Sequence, residues 1–243
     1  MMTGVILAAG EGKRLGAPVP KPLVKISGKP MLLHIIEKMR KVESGMHVFC
    51  VINPSHKELF MHALTGVPGV SLSYQEAPLG TAMALKCALE DLDYSDDLMV
   101  MYADLVLIKD ESLRKLTREH TDSEASITFL SGLTKKQYPY ALVERDEEGI
   151  VKRLSERKKP DFPPPWEFYI GPIVVHSEVA KKFIDALQPH PETGERYIPD
   201  LANLAIDNGY KVSSVTTEDE TEFLGVNKPE DLEFARSTLG RTE

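Results

Sequence analysis

Only two cysteines occur in the 243 residues, Cys50 and Cys87, in the contexts Phe-Cys-Val and Lys-Cys-Ala. They exclude a disulfide framework and paired-cysteine metal spacing, and they fit a reducing cytoplasm. No run of 18 apolar residues is present, so no membrane-spanning helix is expected. The start, MMTGVILAAG, lacks a basic n-region and a long apolar h-region, so no secretion signal is expected either. An excess of positive charge is also missing. Lys+Arg number 29 against 37 Asp+Glu, a formal charge of −8. Such a chain repels a polyphosphate backbone at long range, which excludes general nucleic-acid binding but not a local basic pocket. Gly and Pro, 16 and 17 residues, exclude a collagen-like or low-complexity chain, and no internal repeat is visible.

What is present is a hydrophobic fraction of 42%, sufficient to bury one sizeable core. Short apolar runs alternate with helix-period segments along the chain. Strands are expected at Val5–Ala9, Val48–Ile52, Val70–Tyr74, Leu98–Tyr102, Ala125–Leu130, Ala141–Glu144, Ile150–Leu154, Phe168–Val175 and Lys211–Thr217. Helices are expected near 31–41, 55–64, 80–92, 111–120, 177–187, 198–208 and 229–239. In the first of these, Met31, Leu32, Ile35, Ile36 and Met39 recur at helical spacing and leave Glu37, Lys38 and Arg40 for water. The alternation predicts a layered α/β domain with a largely parallel sheet. From about 125 to 175 strand follows strand without a long helix, which reads as an antiparallel insertion forming a substrate-side wall. Within it, Arg157 to Trp166 (RKKPDFPPPW) reads as an extended exposed loop, because its prolines forbid helix and central strand. Its cations, with Arg153, are either a solvated flank or a basic rim.

The most informative segment is Leu7 to Leu23, LAAGEGKRLGAPVPKPL. A buried strand runs into a turn with Gly10, Gly12 and Gly16 and two cations, Arg14 and Lys21. Glycine turns can present backbone N–H groups to an anion because no Cβ blocks the approach. The dinucleotide fingerprint fails: the third glycine is one residue late, and Pro18, Pro20 and Pro22 prevent the helix that would hold a pyrophosphate. A P-loop fails for want of its G-x-x-x-x-G-K-[ST] pattern. The remaining reading is a glycine lid carrying Arg and Lys over a triphosphate.

That lid resembles the signature of the nucleotidyltransferases that make nucleoside-diphosphate sugars, L-A-A-G-x-G-x-R-[LM] followed by P-K-P-L. The resemblance runs from Gly4 to about Leu239, and is nearest to the uridylyltransferase domains of bifunctional UDP-N-acetylglucosamine pyrophosphorylases. It implies a Rossmann-like, glycosyltransferase-A-type three-layer α/β/α domain with a mixed, mostly parallel central sheet, over residues 1–243. No left-handed β-helix domain is expected. It also implies Arg14 and Lys21 as catalytic cations. Leu7, Ala8, Ala9, Gly10 and Gly12 would be nucleotide-binding.

Three further stretches fit. Gln75-Glu76-Ala77-Pro78-Leu79-Gly80-Thr81 follows a strand and opens a helix. An amide can donate and accept at once to a pyrimidine imide edge, and the resemblance gives Gln75, Gly80 and Thr81 that base-reading role; otherwise Thr81 only caps the helix. Leu98 to Asp104 is an apolar run ending in one carboxylate, where α/β folds bind ligands. By resemblance Asp104 holds Mg²⁺, the alternative being a helix N-cap. In Phe223-Leu224-Gly225-Val226-Asn227-Lys228-Pro229, Asn227 is by resemblance the second Mg²⁺ ligand, although it could simply cap the helix begun by Pro229.

On the sugar side the resemblance implies Tyr102, Ala141 and Glu156. Tyr140-Ala141-Leu142 stands where relatives have Tyr-Gly-Arg, and Ile170-Gly171-Pro172 replaces their Asn-Thr-Gly. His34, His47, His56 and His62 share no ligand spacing. The implied reaction joins an NMP from an NTP, UTP foremost, to a sugar 1-phosphate such as N-acetylglucosamine 1-phosphate, with Mg²⁺ as cofactor and release of pyrophosphate. The chain is then expected as a cytoplasmic monomer or homodimer without nucleic-acid or membrane partners. The alternatives are a cytidylyl- or thymidylyltransferase for another sugar or polyol phosphate, and a non-catalytic nucleotide-sugar sensor.

Overall fold

The structure, a computed structural model, describes residues 2–92, 97–155, 160 and 162–240. In chain order the elements are β1 (Thr3–Leu7), β2 (Lys25–Ile26), β3 (Lys29–Pro30), α1 (Met31–Val42), β4 (Val48–Ile52), α2 (Lys57–Ala63), β5 (Val70–Tyr74), α3 (Thr81–Glu90), β6 (Asp97–Tyr102), α4 (Asp110–Ser123), β7 (Ile127–Thr134), β8 (Leu142–Arg145), β9 (Val151–Ser155), β10 (Trp166–His176), α5 (Ser177–Phe183), α6 (Ile198–Asp207), β11 (Val212–Thr217) and α7 (Pro229–Leu239).

The central sheet runs β11-β7-β10-β6-β1-β4-β5. Four of its six adjacencies are parallel, and only β10, lying between β6 and β7, opposes both neighbours. β8 and β9 form a hairpin that joins through β10. The sheet is mixed and mostly parallel, and the fold is Rossmann-like. Its two faces follow from the period of two along a strand. Ile6, Cys50, Met99 and Met101 enter one core with Met31, Ile35, Leu113 and Leu116 of α1 and α4. Val5, Leu7, Val51, Leu98 and Val100 enter the other with Leu85 of α3, Ala180 of α5 and Leu201 of α6. Helices cover both faces, giving three layers.

The chain goes from β1 outward through β4 to β5, then returns to place β6 on the other side of β1. The order therefore reverses at β1/β6, and the carboxyl ends of these strands open a crevice where α/β sheets bind ligands.

Three local expectations change. β1 stops at Leu7 rather than Ala9, because the chain peels into the glycine turn, although Ala8 N–H still reaches the Val51 carbonyl at 2.8 Å. α4 continues to Ser123 because no Pro or Gly interrupts it, the Thr117 and Thr121 hydroxyls being satisfied on the carbonyls of Leu113 and Thr117, and it ends where Glu124 adopts φ 54°. Lys38 is not given to water. Its side chain is 15% exposed beside Asp110, and burial lowers its pKa while Asp110 opposes that shift. In the proline-rich stretch, Phe162 is exposed and Pro160 buried, whereas Trp166 begins β10 opposite Thr134. Arg157, Lys158 and Lys159 lie outside the described residues. No helix among the described residues is long and apolar enough to cross a membrane.

Candidate active site

At the carboxyl ends of β1 and β6 lies a cleft of about 580 Å³, whose walls include Leu7, Ala8, Ala9, Gly10, Lys21, Gln75, Gly80, Thr81, Tyr102, Asp104, Ala141 and Asn227. Residues from five separate stretches thus share one cavity.

The glycine loop owes its path to two turns. Gly12, at φ 61°, starts a 3-10 turn over Lys13–Leu15, and a Cβ there would come within 2.6 Å of Lys21 Cβ. Gly12 is therefore what lets the stem of Lys21 pass beneath the loop. Pro20 and Pro22 flank Lys21 in a second 3-10 turn, fixing backbone torsions on either side. Lys21 Nζ donates to Asp104 Oδ2 at 2.6 Å and to Asn227 Oδ1 at 3.1 Å. Arg14 is more exposed, and its guanidinium reaches the same Asn227 oxygen at 3.4 Å. Lys21 and Asp104 are only 15% and 17% exposed, so each charge depends on the other for compensation.

Asn227 and Asp104 take neither of the capping roles open to them. Lys228 is the N-cap of α7 and Lys109 that of α4. The Asn227 amide is oriented by Nδ2 donating to the Gly225 carbonyl at 3.0 Å, and its backbone N–H donates to Asp231 Oδ2 at 2.9 Å. Oδ1 is left facing the two cations. A carboxylate and an amide oxygen therefore converge on a positive charge, here the Lys21 ammonium. That donor set suits Mg²⁺, a hard cation that takes one or two protein oxygens and completes its shell with phosphate and water.

On the opposite wall Gln75 is 8% exposed. Its backbone N–H donates to the Ile52 carbonyl, and its Nε2 to the Gly80 carbonyl at 3.1 Å. One amide hydrogen is thus spent inside the loop, leaving Oε1 and the other hydrogen for recognition. Thr81 does not cap α3, a position held by Gly80 at φ 97°. Its hydroxyl instead accepts the Ile198 N–H at 3.1 Å.

The sugar-side expectations divide. Tyr102 and Ala141 line the cleft. Burial pushes the Tyr102 phenol up to about 12, so it stays neutral. Its hydroxyl lies 3.2 Å from that of Tyr169, which donates to the Gly171 carbonyl. Glu156 lies outside the described residues.

Sequence reasoning missed the segment before α6. Arg196 N–H donates to the Leu79 carbonyl at 2.9 Å, and Ala82 N–H to the Arg196 carbonyl at 3.0 Å. Glu195 and Tyr197 thereby join the cleft wall beside the Gln75–Thr81 loop. No spacing signals this pairing, which links positions over a hundred residues apart.

Residues 3–225 match the nucleotidyl transferase family. The chain is 33% identical to the bifunctional protein GlmU of Caldicellulosiruptor saccharolyticus over 241 residues, 98% of this chain and 51% of that protein. It is 32% identical to the protein of that name from Burkholderia thailandensis, over 95% of this chain and 50% of the other. The chain thus spans about half the length of these curated relatives. A crystal structure from Bacillus anthracis, described as a putative glucose-1-phosphate thymidylyltransferase, superposes with a TM-score of 0.75 at 22% identity, covering 98% of this chain and 95% of that one. At that identity the likeness speaks for the fold. The glycine loop with its paired cations, the sheet reversal and the match over residues 3–225 agree: the chain belongs to the nucleotidyl transferase family.

Proposed function

We propose that this chain transfers the NMP of a nucleoside triphosphate, UTP by preference, to a sugar 1-phosphate of the N-acetylglucosamine 1-phosphate class, releasing pyrophosphate. The observation that carries this reading is the position of Lys21 Nζ between Asp104 Oδ2 and Asn227 Oδ1, beneath the glycine loop and in the same cleft as Gln75. One domain suffices, with the strands between about 125 and 175 walling the sugar side.

A phosphate monoester is ionised at neutral pH, so the attacking oxygen needs no general base. The protein's task is alignment and charge neutralisation for in-line displacement at the α-phosphorus. Gly10 and Gly12 lend backbone donors to the triphosphate. Arg14, more exposed than Lys21, covers the leaving pyrophosphate. Lys21 follows the charge developing at the α-phosphate. Gln75 and the Gly80–Thr81 backbone hold the base edge, while Tyr102 and Ala141 meet the sugar. Asp104 and Asn227 would hold Mg²⁺, which when bound supplies electrostatic stabilisation of the phosphate oxygens. Two free cysteines suit a cytoplasmic setting.

The test is pyrophosphate release from the four common triphosphates and dTTP against a panel of sugar and polyol 1-phosphates, with and without Mg²⁺. Release with UTP and an amino-sugar phosphate supports the reading. Release confined to CTP or dTTP, or tight nucleotide-sugar binding without release, overturns it.

A further inference from the structure

Asp97, His120 and His176 meet at the amino end of β6, about 17 Å along the strand from Tyr102, and so away from the cleft. Asp97 opens β6, His176 closes β10 directly opposite it, and His120 projects from α4. Their ligating atoms all lie within 4.8 Å of one another, the one such group of three found among the described residues.

His120 is 2% exposed, and its Nδ1 is bonded to the Thr128 hydroxyl at 3.0 Å. That bond turns Nε2 toward Asp97 Oδ1, 3.7 Å away, too far for a hydrogen bond. Nε2 is buried and has no hydrogen-bond partner among the described residues. A buried imidazole nitrogen without a partner is costly unless something completes it. His176 Nδ1 contacts the same carboxylate oxygen, and the two rings are 4.8 Å apart, centroid to centroid.

We propose that Asp97, His120 and His176 form a binding site for a divalent transition ion of the zinc type, with water in the remaining position. Two imidazoles and a carboxylate match zinc rather than magnesium. In a tetrahedron with bonds of about 2 Å, ligand atoms are roughly 3.3 Å apart, so the widest pair must close by about 1.5 Å, while Asp97 Oδ1 and His176 Nδ1, now in hydrogen-bond contact, must move slightly apart. The Thr128 hydroxyl is the outer partner that fixes the tautomer of a ligating histidine. Asp97 and His176 are 35% and 44% exposed, leaving the ion a path from solvent. Bound there, it would tie β6, β10 and α4 together.

The site is tested by calorimetric titration of EDTA-treated full-length protein with ZnCl₂, in an Asp104→Asn background that removes the carboxylate of the cleft. One equivalent is expected to bind and raise the Tm, and the imidazole nitrogen resonances of His120 and His176 should shift together. Removal of His120 threatens the fold, so the variants are His176→Ala and Asp97→Asn. Each should weaken binding roughly a hundredfold or more. No binding, or binding that survives both substitutions, overturns the proposal. So does binding seen in the wild type but lost in Asp104→Asn, which places the ion in the cleft. None of these readouts depends on catalysis, so the outcome is separate from that of the transferase reading.

Discussion

Lys21 Nζ and Asp104 Oδ2 lie 2.6 Å apart although 83 residues separate them in sequence. Asn227 Oδ1 completes the group at 3.1 Å. The ammonium thus sits where two hard oxygens converge and neutralises the carboxylate.

If this cluster carries the chemistry, Lys21→Ala and Asp104→Ala should each lower kcat/KM at least about a hundredfold, near 3 kcal/mol of barrier. Circular dichroism should show both variants folded. The double variant should lose much less than the product of the single losses, because the two residues act as a unit. Near-normal turnover in either single variant removes the basis for the assignment.

A second expectation concerns the free protein. In Lys21→Met the ammonium no longer competes for Asp104 and Asn227. Without nucleotide, the variant should therefore bind Mg²⁺ more tightly than the wild type, measured by calorimetry. Equal affinity would mean that Lys21 does not stand in the ion's place.

Gly80 is held at φ 97°, and a Cβ there would lie 2.3 Å from the Arg196 carbonyl oxygen. Gly80→Ala should therefore pry the Gln75–Thr81 loop from the Arg196 segment. A loss of about 2–4 kcal/mol in urea unfolding is expected, with a raised KM for the triphosphate. Unchanged stability would show that the two segments are not clamped.

Gln75→Ala leaves the Gly80 carbonyl without its side-chain donor and the base without an amide. The expected result is a rise in KM for the triphosphate of about tenfold, corresponding to roughly 1–2 kcal/mol, with kcat changed less. A fall in kcat alone would contradict a base-holding role.

Asp219 caps the turn ahead of Phe223 by accepting from Thr221 N–H and Oγ1 at 3.0 and 2.7 Å. Its carboxyl is held below the ordinary value of 3.8, first by the Lys109 ammonium. The folded pKa is therefore lower than the unfolded one. The stabilisation is complete above about pH 4 and fades as pH falls through the folded value. Asp219→Ala should cost about 1 kcal/mol at pH 7, and its Tm gap to wild type should close in acid. A gap independent of pH would remove the ion pair from the account.

The strands and helices were legible because their causes are local. Val48–Ile52 and Val70–Tyr74 form strands with the expected ends, since a short apolar run and a strict apolar/polar alternation, each bounded by turn residues, leave little choice. The end of α4 was less so, because its last turn, His120–Ser123, carries no apolar signal and the helix stops only where Glu124 turns left-handed. Lys38 reads as solvent-facing by periodicity, yet Asp110 from α4 comes over it. The zinc-type group was illegible for the same reason: Asp97, His120 and His176 have no common spacing, and only the pairing of β10 with β6 together with the packing of α4 against β10 brings them together.

By itself the sequence determined the layered α/β alternation, the glycine loop and the chemical character of Arg14, Lys21, Gln75, Asp104 and Asn227, since these depend on residue type and on neighbours a few positions away. The tertiary structure alone decided that Lys21 bridges Asp104 and Asn227 and that Glu195 and Tyr197 wall the cleft. Those contacts join segments tens to hundreds of residues apart, and only the packing of the sheet and helices fixes which of them meet.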